Sequence, residues 1–248
     1  MLKYYDRAWN PVFGCKGGFD GCDHCYAVGQ MLKRGFSEDF RDVCVNRKQL
    51  NRKFEKDERQ LICVCTQSDL FQNDVNDALR DKVMRICNEN RQDVFMTMTK
   101  FTGNMVEYFS DPGLVERLAH YGMNEFDWDG IKFGASVCTM ADLHRMDELK
   151  RVPVIRHRFL VFDPLLEDLS KWMDAKFLDG FEWVIVGCET GDGRTPCDPE
   201  WIRGIVRLAD KAGVPVFVNG VDVNGQVVYG DERPFDLRRS ENPYLIEK

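Results

Sequence analysis

Short runs of apolar and β-branched residues alternate along the chain with longer stretches that mix polar and apolar positions. Eight runs are predicted as strands: Ala8–Phe13, Val43–Val45, Leu61–Thr66, Val94–Thr99, Ile131–Val137, Phe159–Phe162, Trp183–Gly187 and Val214–Val218. The stretches between them predict six helices: Tyr26–Lys33, Asn76–Asn88, Pro112–His120, Ala141–Lys150, Leu166–Lys176 and Pro199–Ala212. Strands that are nearly continuous in apolar residues and separated by helices indicate a parallel sheet covered on both faces.

This succession predicts an α/β fold, and its length suits a (β/α) barrel, which usually takes roughly 250 residues. An open six-strand version of the barrel, or a doubly wound sheet, fits the same pattern. After the last strand, Asn224-Gly225 lies between two short β-type runs, which predicts a C-terminal β-hairpin. We therefore expect a full or partial TIM-like barrel over residues 1–220, with a hairpin and an irregular tail packed on it at residues 221–248.

The composition of the 248 residues is that of a globular protein, with 44% hydrophobic and 30% charged residues. No apolar run is long enough to span a membrane, and the N-terminal segment lacks the apolar core of a signal peptide. We therefore expect a cytoplasmic protein whose ten cysteines stay reduced.

The formal net charge of −7 weighs against unaided binding to nucleic acid. Two clusters of basic residues are exceptions to this acidic net charge and are candidate phosphate-contacting patches. They are Arg47, Lys48, Arg52, Lys53 and Lys56 in one segment, and Arg151, Arg156, His157 and Arg158 in another. The alternative interpretation of both clusters is a solvated face that neighbouring acids balance.

Three cysteines lie on a glycine-rich loop directly after the first predicted strand. The loop reads GCKGGFDGCDHCYA and contains Cys15, Cys22 and Cys25. A structural zinc site needs four ligands, but His24 lies between two of these cysteines and no second C-x2-C pair occurs in the sequence. An iron–sulfur cluster held by three thiolates is another interpretation, and the short Cys22-x2-Cys25 spacing suits it. Such a cluster has an open metal position, where a reactant binds.

Polar residues follow nearly every predicted strand. In α/β barrels and open α/β sheets, the functional site forms at the carboxyl ends of the strands. The residues at these ends are Ser68, Asp69, Lys100, Ser136, Cys138, Asp163, Cys188 and Glu189. We expect one rim to collect them beside the cysteine-rich loop.

These motifs resemble those of the radical S-adenosylmethionine superfamily, in which three cysteines follow the first strand of an α/β barrel. The commonest spacing in that superfamily is C-x3-C-x2-C, so the six-residue gap between Cys15 and Cys22 is a departure. The closer resemblance is to a phage- and prophage-associated family whose members carry Trp-Asn-Pro-Val-x-Gly-Cys and then Gly-Cys-x-x-Cys-Tyr-Ala. Both motifs occur in this chain, at residues 9–15 and 21–27.

The resemblance implies that Cys15, Cys22 and Cys25 hold a [4Fe–4S] cluster whose fourth iron binds S-adenosylmethionine. Reductive cleavage of that molecule would give a 5′-deoxyadenosyl radical that abstracts hydrogen from a substrate. The resemblance favours a modified nucleobase or nucleotide in phage DNA as substrate, and it leaves a peptide or a small metabolite open. A phage-encoded chain would act in the host cytoplasm. The electron would come from a donor such as flavodoxin or ferredoxin, and the reaction class stays open among isomerase, lyase and transferase.

The resemblance also implies individual roles at the rim. The cofactor-binding candidates are Tyr26 and the backbone around His24 for the adenine, Ser68 and Asp69 for the ribose hydroxyls or the methionine ammonium group, Lys100 for the methionine carboxylate, and Glu189 for the ammonium group. Ser136 and Asp163 are further candidates without an assigned role, and Asp163 stands where relatives often have Glu.

Two cysteines on the rim are candidate catalytic residues. From their positions after the fifth and seventh strands, Cys138 and Cys188 are each placed to donate a hydrogen atom to a product radical. Cys188 stands where relatives often have Gly. Two functions of other classes stay open on the sequence: a zinc- or cluster-stabilised binding module without turnover, and a barrel hydrolase whose divalent metal is held by Asp69, Asp163 and Glu189.

Overall fold

The computed structural model describes residues 4–34, 39–54, 59–121, 128–152, 154–191 and 193–244. The strands are β1 (Arg7–Trp9), β2 (Val12–Phe13), β3 (Cys44–Val45), β4 (Leu61–Val64), β5 (Val94–Thr99), β6 (Ile131–Ser136), β7 (Arg158–Phe162), β8 (Trp183–Val186), β9 (Val216–Val218), β10 (Val221–Val223) and β11 (Gln226–Val228). The helices are α1 (Tyr26–Arg34), α2 (Arg47–Leu50), α3 (Asp77–Glu89), α4 (Thr102–Ser110), α5 (Leu114–His120), α6 (His144–Lys150) and α7 (Pro199–Ala212). Within these ranges, no helix combines the length and the apolar character needed to cross a bilayer.

In the described part of the chain, seven strands form one parallel sheet in the order β1-β4-β5-β6-β7-β8-β9. Neighbouring strands follow one another along the chain, which is the succession of a (β/α) barrel. Strands β1 and β9 remain at the two edges, so the barrel is partial. The predicted α/β barrel is therefore confirmed in its partial form, and β10 and β11 form the predicted antiparallel hairpin.

The strands bury side chains on both faces of the sheet, because successive residues point to opposite sides. One face of β7 and β8 packs Phe159, Trp183 and Ile185 into an inner apolar cluster. The other face packs Leu160 and Val184 into a larger outer cluster with the helices. Burial of both faces explains why these strands are continuous apolar runs in the sequence.

Residues from both ends of the described chain complete the inner cluster. The ring centroid of Tyr4 lies 6.0 Å from that of Trp183 and 5.7 Å from that of Phe217. Tyr244 is buried on the same residues, 5.5 Å from Trp183. Ser240 forms an antiparallel bridge with Phe217 of β9. The predicted irregular tail therefore covers an edge of the sheet and contributes to the barrel interior. The sequence predicts only that the tail packs on the barrel.

The predicted first strand, Ala8–Phe13, is divided in two. Pro11 has no backbone N–H to continue the ladder, and the buried Asn10 side chain accepts a hydrogen bond from Gln67 N at 3.2 Å. The chain leaves the sheet after β1, and β2 pairs antiparallel with β3. The predicted barrel strand Val43–Val45 is this β3, so it lies outside the seven-stranded sheet.

The predicted helix Leu166–Lys176 is wrong. Two short 3-10 turns, Leu169–Lys171 and Ala175–Leu178, take its place. The Asp174 carboxylate accepts from Lys176 N at 2.8 Å, and such local side-chain bonds compete with helix formation. The other five predicted helices are observed with small shifts at their ends, and α4 is a helix that the pattern does not predict.

Gly134 tests the packing between β6 and β7. A Cβ at this position would lie 2.4 Å from Cε2 of Phe159, so Gly134→Ala forces a ring of the inner cluster to move. We expect the free energy of unfolding, measured by urea denaturation, to fall by about 1–3 kcal/mol. The control is Gly103→Ala in α4, where no atom lies within 4 Å of the new methyl group. Equal losses in the two variants would contradict this packing.

Candidate functional site

The three clustered cysteines lie on the segment between β2 and α1, residues 14–25, here named the cysteine loop. They are free thiols and partly exposed. Four residues of the loop adopt left-handed backbone conformations that favour glycine, with φ from +60° to +94°: Gly14, Gly17, Gly18 and Gly21. At Gly14 the space is also closed, because a Cβ would lie 2.1 Å from Asp42 O. The glycines therefore set the path of the loop around its thiols.

The loop is fastened to the segment that follows β4 through the carbonyl oxygen of Gly14. That oxygen accepts hydrogen bonds from the Ser68 hydroxyl at 2.6 Å and from Gln72 Nε2 at 2.9 Å. The fully buried Gln72 also accepts from Lys16 N at 3.2 Å through its Oε1. One amide thus fixes the backbone on both sides of Cys15. Sequence reasoning missed Gln72, although its position four residues after Ser68 was an available signal.

Asp69 is a buried brace between the ends of β4 and β5. Its carboxylate accepts from the Thr99 hydroxyl at 2.7 Å and from the backbone N–H groups of Lys100 and Phe71, each at 2.9 Å. Burial raises the pKa of this carboxyl, and the three hydrogen bonds oppose that shift. Both oxygens have protein partners, which suits a positioning role. The contacts predicted for Ser68 and Asp69 with S-adenosylmethionine stay predictions.

Lys100, directly after β5, reaches the cysteine loop. Its ammonium group donates to Asp20 O at 2.8 Å and lies 3.5 Å from Cys22 Sγ, within hydrogen-bonding distance of sulfur. An ammonium group has three donors, so one is left for the methionine carboxylate that the resemblance predicts.

Cys138 lies against the same part of the loop. A Cβ on Gly21 would lie 3.0 Å from Cys138 Sγ and 3.2 Å from Lys100 Nζ, and Ser136 Oγ lies 3.9 Å from this sulfur. Burial raises the pKa of the Cys138 thiol, and the charge of Lys100 opposes the shift. Ser136 and Cys138 are therefore next to the cysteine loop, and a catalytic role for Cys138 stays a prediction.

Cys188 has a different environment. It is buried in the outer cluster with Cys197, whereas Ile185, three positions earlier, faces the inner cluster. Burial raises the pKa of both Cys188 and Cys197 to about 12. The alternation of side chains along β8 turns Cys188 away from the inner face. A catalytic role for Cys188 stays a prediction, and it would have to be reached from this outer side.

His24 and Glu189 meet across the rim. Nδ1 of His24 lies 3.0 Å from Oε2 of Glu189, and the same oxygen accepts from Thr195 N at 2.8 Å. Nδ1 of the imidazole is thus directed at a carboxylate. The contacts predicted for these two residues with adenine and ammonium stay predictions.

Tyr26 begins α1 at the end of the cysteine loop. Its hydroxyl donates to Thr66 O at 2.6 Å, and 52% of the residue is exposed. The hydrogen bond fixes the ring at the rim while leaving much of it accessible. The predicted adenine contact stays a prediction that this exposure suits.

Asp163 presents a carboxylate on the inner side of the rim. Asn219 Nδ2 donates to its Oδ2 at 2.8 Å, and Gly187 leaves it room, since a Cβ there would lie 3.1 Å from the carboxyl group. Burial raises the pKa of Asp163 to about 6, against the effect of the Asn219 hydrogen bond. Its carboxyl group can therefore take up or release a proton near neutral pH.

The surroundings of Cys15 and Cys25 in the cysteine loop favour the protonated, neutral thiol. Burial, with the charge of Asp69, raises the pKa of Cys15 to about 12, and burial also raises the pKa of Cys25. Backbone hydrogen bonds from Gly17 to Cys15 and from Ala27 to Cys25 oppose these shifts. A metal group that binds these thiols must therefore displace protons.

The donor set fits a cluster better than a single ion. In the described part of the chain, no three His, Cys, Asp or Glu side chains converge to hold one metal ion. The acids expected in a hydrolase, Asp69, Asp163 and Glu189, each have separate partners. A [4Fe–4S] cluster is much larger than one ion, and thiolates spaced around it need not converge on a point. The cysteine loop, bent at its glycines, suits that arrangement.

Comparison with known proteins gives a family match. Residues 1–224 match the model of a family described as "Protein of unknown function (DUF5131)". A solved structure of spore photoproduct lyase complexed with dinucleoside spore photoproduct is similar over 91% of this chain and 68% of that chain, with 14% sequence identity and a TM-score of 0.45. This likeness is too weak to support a function. No curated protein matches the sequence.

Asp163→Asn tests the burial of the rim carboxyl group. Its raised pKa means that the folded chain binds the proton more tightly, so the charged group lowers stability as pH rises from about 4 to about 6. The variant should gain about 1–2 kcal/mol in free energy of unfolding at pH 8, and the gain should vanish near pH 4. Denaturant titrations at the two pH values measure it, with Asp23→Asn on the exposed part of the cysteine loop as control. A gain of equal size at both pH values would disprove the burial effect.

Proposed function

The chain belongs to the DUF5131 family, and we propose that it is a radical S-adenosylmethionine enzyme whose [4Fe–4S] cluster is held by Cys15, Cys22 and Cys25. The cysteine loop carries this proposal: three free, partly exposed thiols on left-handed glycine turns at the carboxyl ends of a parallel sheet. Three thiolates leave one iron open for S-adenosylmethionine. In this proposal, residues 1–220 form the catalytic barrel and residues 221–248 pack on it.

The residues around the loop suit such a group. Ser68 and Gln72 fix the carbonyl oxygen that precedes Cys15. Gly17 leaves space beside the second thiol, since a Cβ there would lie 3.5 Å from Cys22 Sγ. Contacts of this kind would lower the cost of ordering the loop around a cluster.

When bound, the cluster supplies the electron that cleaves S-adenosylmethionine and starts hydrogen abstraction. The chain has to hold the reactants and exclude water, and the inner cluster around Trp183 closes the barrel below the rim. Asp163 is placed to hold a proton or a polar group of the substrate. Burial keeps the Cys138 thiol protonated, and the S–H form is the one that carries a hydrogen atom to donate.

The substrate class in this proposal is a modified nucleobase or nucleotide in DNA. The segment with β3 and α2 is bonded to the cysteine loop, since Cys15 N donates to Phe40 O at 3.0 Å. Arg47, Lys48 and Lys53 in this segment are exposed and have no carboxylate partner within the described residues. Exposed cations beside the site suit contact with phosphates. Lys56 of the same predicted cluster lies outside the described residues.

The second predicted basic cluster does not support contact with nucleic acid. Three of its members lie near acids, at distances of 3.7 Å for Arg151–Glu148, 3.6 Å for Arg156–Asp129 and 2.9 Å for His157–Glu182. Arg158 begins β7 and donates to Leu149 O at 3.1 Å. The start of a parallel strand lies at the end of the sheet opposite to the cysteine loop.

The proposal also includes a reducing partner and a compartment. The chemistry requires a one-electron donor such as flavodoxin or ferredoxin. A cytoplasmic setting keeps cysteines reduced, and all ten cysteines of the chain are free thiols in the structure.

Anaerobic reconstitution with iron and sulfide tests the cluster. The unchanged chain should bind about four irons and turn brown, and each of Cys15→Ala, Cys22→Ala and Cys25→Ala should lose the cluster. The control is Cys44→Ala, which removes an exposed cysteine of β3 and should keep the full iron content. Iron content and visible absorption are the measurements.

The same preparations show whether the cluster is functional. With dithionite and S-adenosylmethionine, the unchanged chain should release 5′-deoxyadenosine, with and without an oligonucleotide, and the three cysteine-loop variants should not. A colourless chain that binds zinc, or a cluster that never cleaves S-adenosylmethionine, would show that the proposed function is wrong.

A further inference from the structure

Lys100 is a half-buried cation whose contact with a cysteine sulfur is not explained by the predicted methionine carboxylate contact. It follows β5, and its ammonium group donates to Asp20 O at 2.8 Å and lies 3.5 Å from Cys22 Sγ. Asp20 and Cys22 both belong to the cysteine loop. Lys100 therefore joins the loop to the sheet at a second point, in addition to the Gly14 carbonyl.

The charge of this ammonium group has no carboxylate partner within the described residues. The buried Arg145 nearby is paired with Asp142 at 2.7 Å. The carboxylate of Asp69 accepts from the backbone N–H of Lys100, not from its ammonium group. Burying a cation without an anion is unfavourable, so an anionic group bound at the neighbouring sulfur would stabilise this ammonium group. The geometry places Cys22 Sγ 3.5 Å from Nζ.

The backbone of the loop leaves space for this approach. Gly21 has φ +72°, and a Cβ at this position would lie 3.2 Å from Lys100 Nζ and 3.0 Å from Cys138 Sγ. Any larger residue at position 21 would crowd the ammonium group as well as strain the backbone. The close contact between Lys100 and the loop is thus built into its glycine pattern.

We propose that Lys100 sets the reduction potential of the cluster by donating a charged hydrogen bond to the Cys22 sulfur. This inference rests on the proposed function. Reduction adds one negative charge to the cluster, and a cation held beside a ligand sulfur stabilises the reduced form more than the oxidised form. Lys100 is a positioning residue in this role, because it acts through Cys22 and through the Asp20 backbone.

Lys100→Met removes the charge while keeping a side chain of similar length. In the reconstituted protein, an anaerobic redox titration followed by electron paramagnetic resonance should give at least a tenfold smaller equilibrium constant for reduction. That change corresponds to a midpoint potential lower by about 59 mV for one electron. Lys100→Arg keeps a cation and should stay near the value of the unchanged chain.

Lys16→Met is the matched control from the same loop. Lys16 is exposed, and its ammonium group lies 2.8 Å from Asp74 Oδ1. Among the described residues, this ion pair is its side-chain contact, whereas Lys100 contacts a cysteine sulfur. Its removal takes one positive charge from the loop without touching the cluster ligands. The midpoint potential should therefore stay unchanged, which separates the specific contact from the overall charge.

The outcomes separate the two proposals. An unchanged chain without a cluster overturns the proposed function itself. A loaded Lys100→Met variant with the potential of the unchanged chain overturns the role of Lys100 alone. If Lys100→Met does not load, Lys100→Gln keeps a donor for Asp20 O without the charge, and its potential decides. If neither neutral variant binds a cluster, the Lys100→Arg variant decides. Cluster binding by Lys100→Arg supports the need for a cation at this position, and failure of Lys100→Arg to bind a cluster overturns the proposal.

Discussion

The two hydrogen bonds to the carbonyl oxygen of Gly14 are the interaction on which the candidate site depends. The donors are the Ser68 hydroxyl and the Gln72 side-chain amide. These bonds attach the cysteine loop, which has few buried apolar residues, to the segment that follows β4 of the parallel sheet. Asp69, in the same turn, extends the connection to the end of β5. Loops carry function best when a scaffold holds them, and here the two neighbouring strands β4 and β5 share that task.

The fold and the position of the three thiols of the cysteine loop can be predicted from the sequence, because local residue patterns determine them. Strands buried on both faces must be apolar runs, as β4 and β8 are. Helix α7 has a signal at each end, an Asp198 cap followed by proline and Gly213 with φ +70°. The cysteines are close in sequence, so their common loop needs no knowledge of the tertiary structure.

The contacts that shape the site could not be predicted, because they join residues distant in the chain. Lys100 and Asp20 are 80 positions apart, and Gln72 and Gly14 are 58 apart. The direction of Cys188 was equally hidden. A residue at the end of a strand can face either side of the sheet. Because successive side chains alternate, its position gives the side only once it is known which residues of the strand face the barrel interior. Pro11 was a local signal for the break after β1, but the apolar run around it masked the break.

The inner cluster constrains the order in which the chain can reach its final packing. Tyr4 precedes the first strand and Tyr244 follows the last, yet both rest on Trp183. During synthesis, the inner faces of the central strands emerge from the ribosome long before the residue that completes their cover. A nascent chain that ends before residue 244 exposes apolar surface that the finished protein hides, which makes it a client for chaperones.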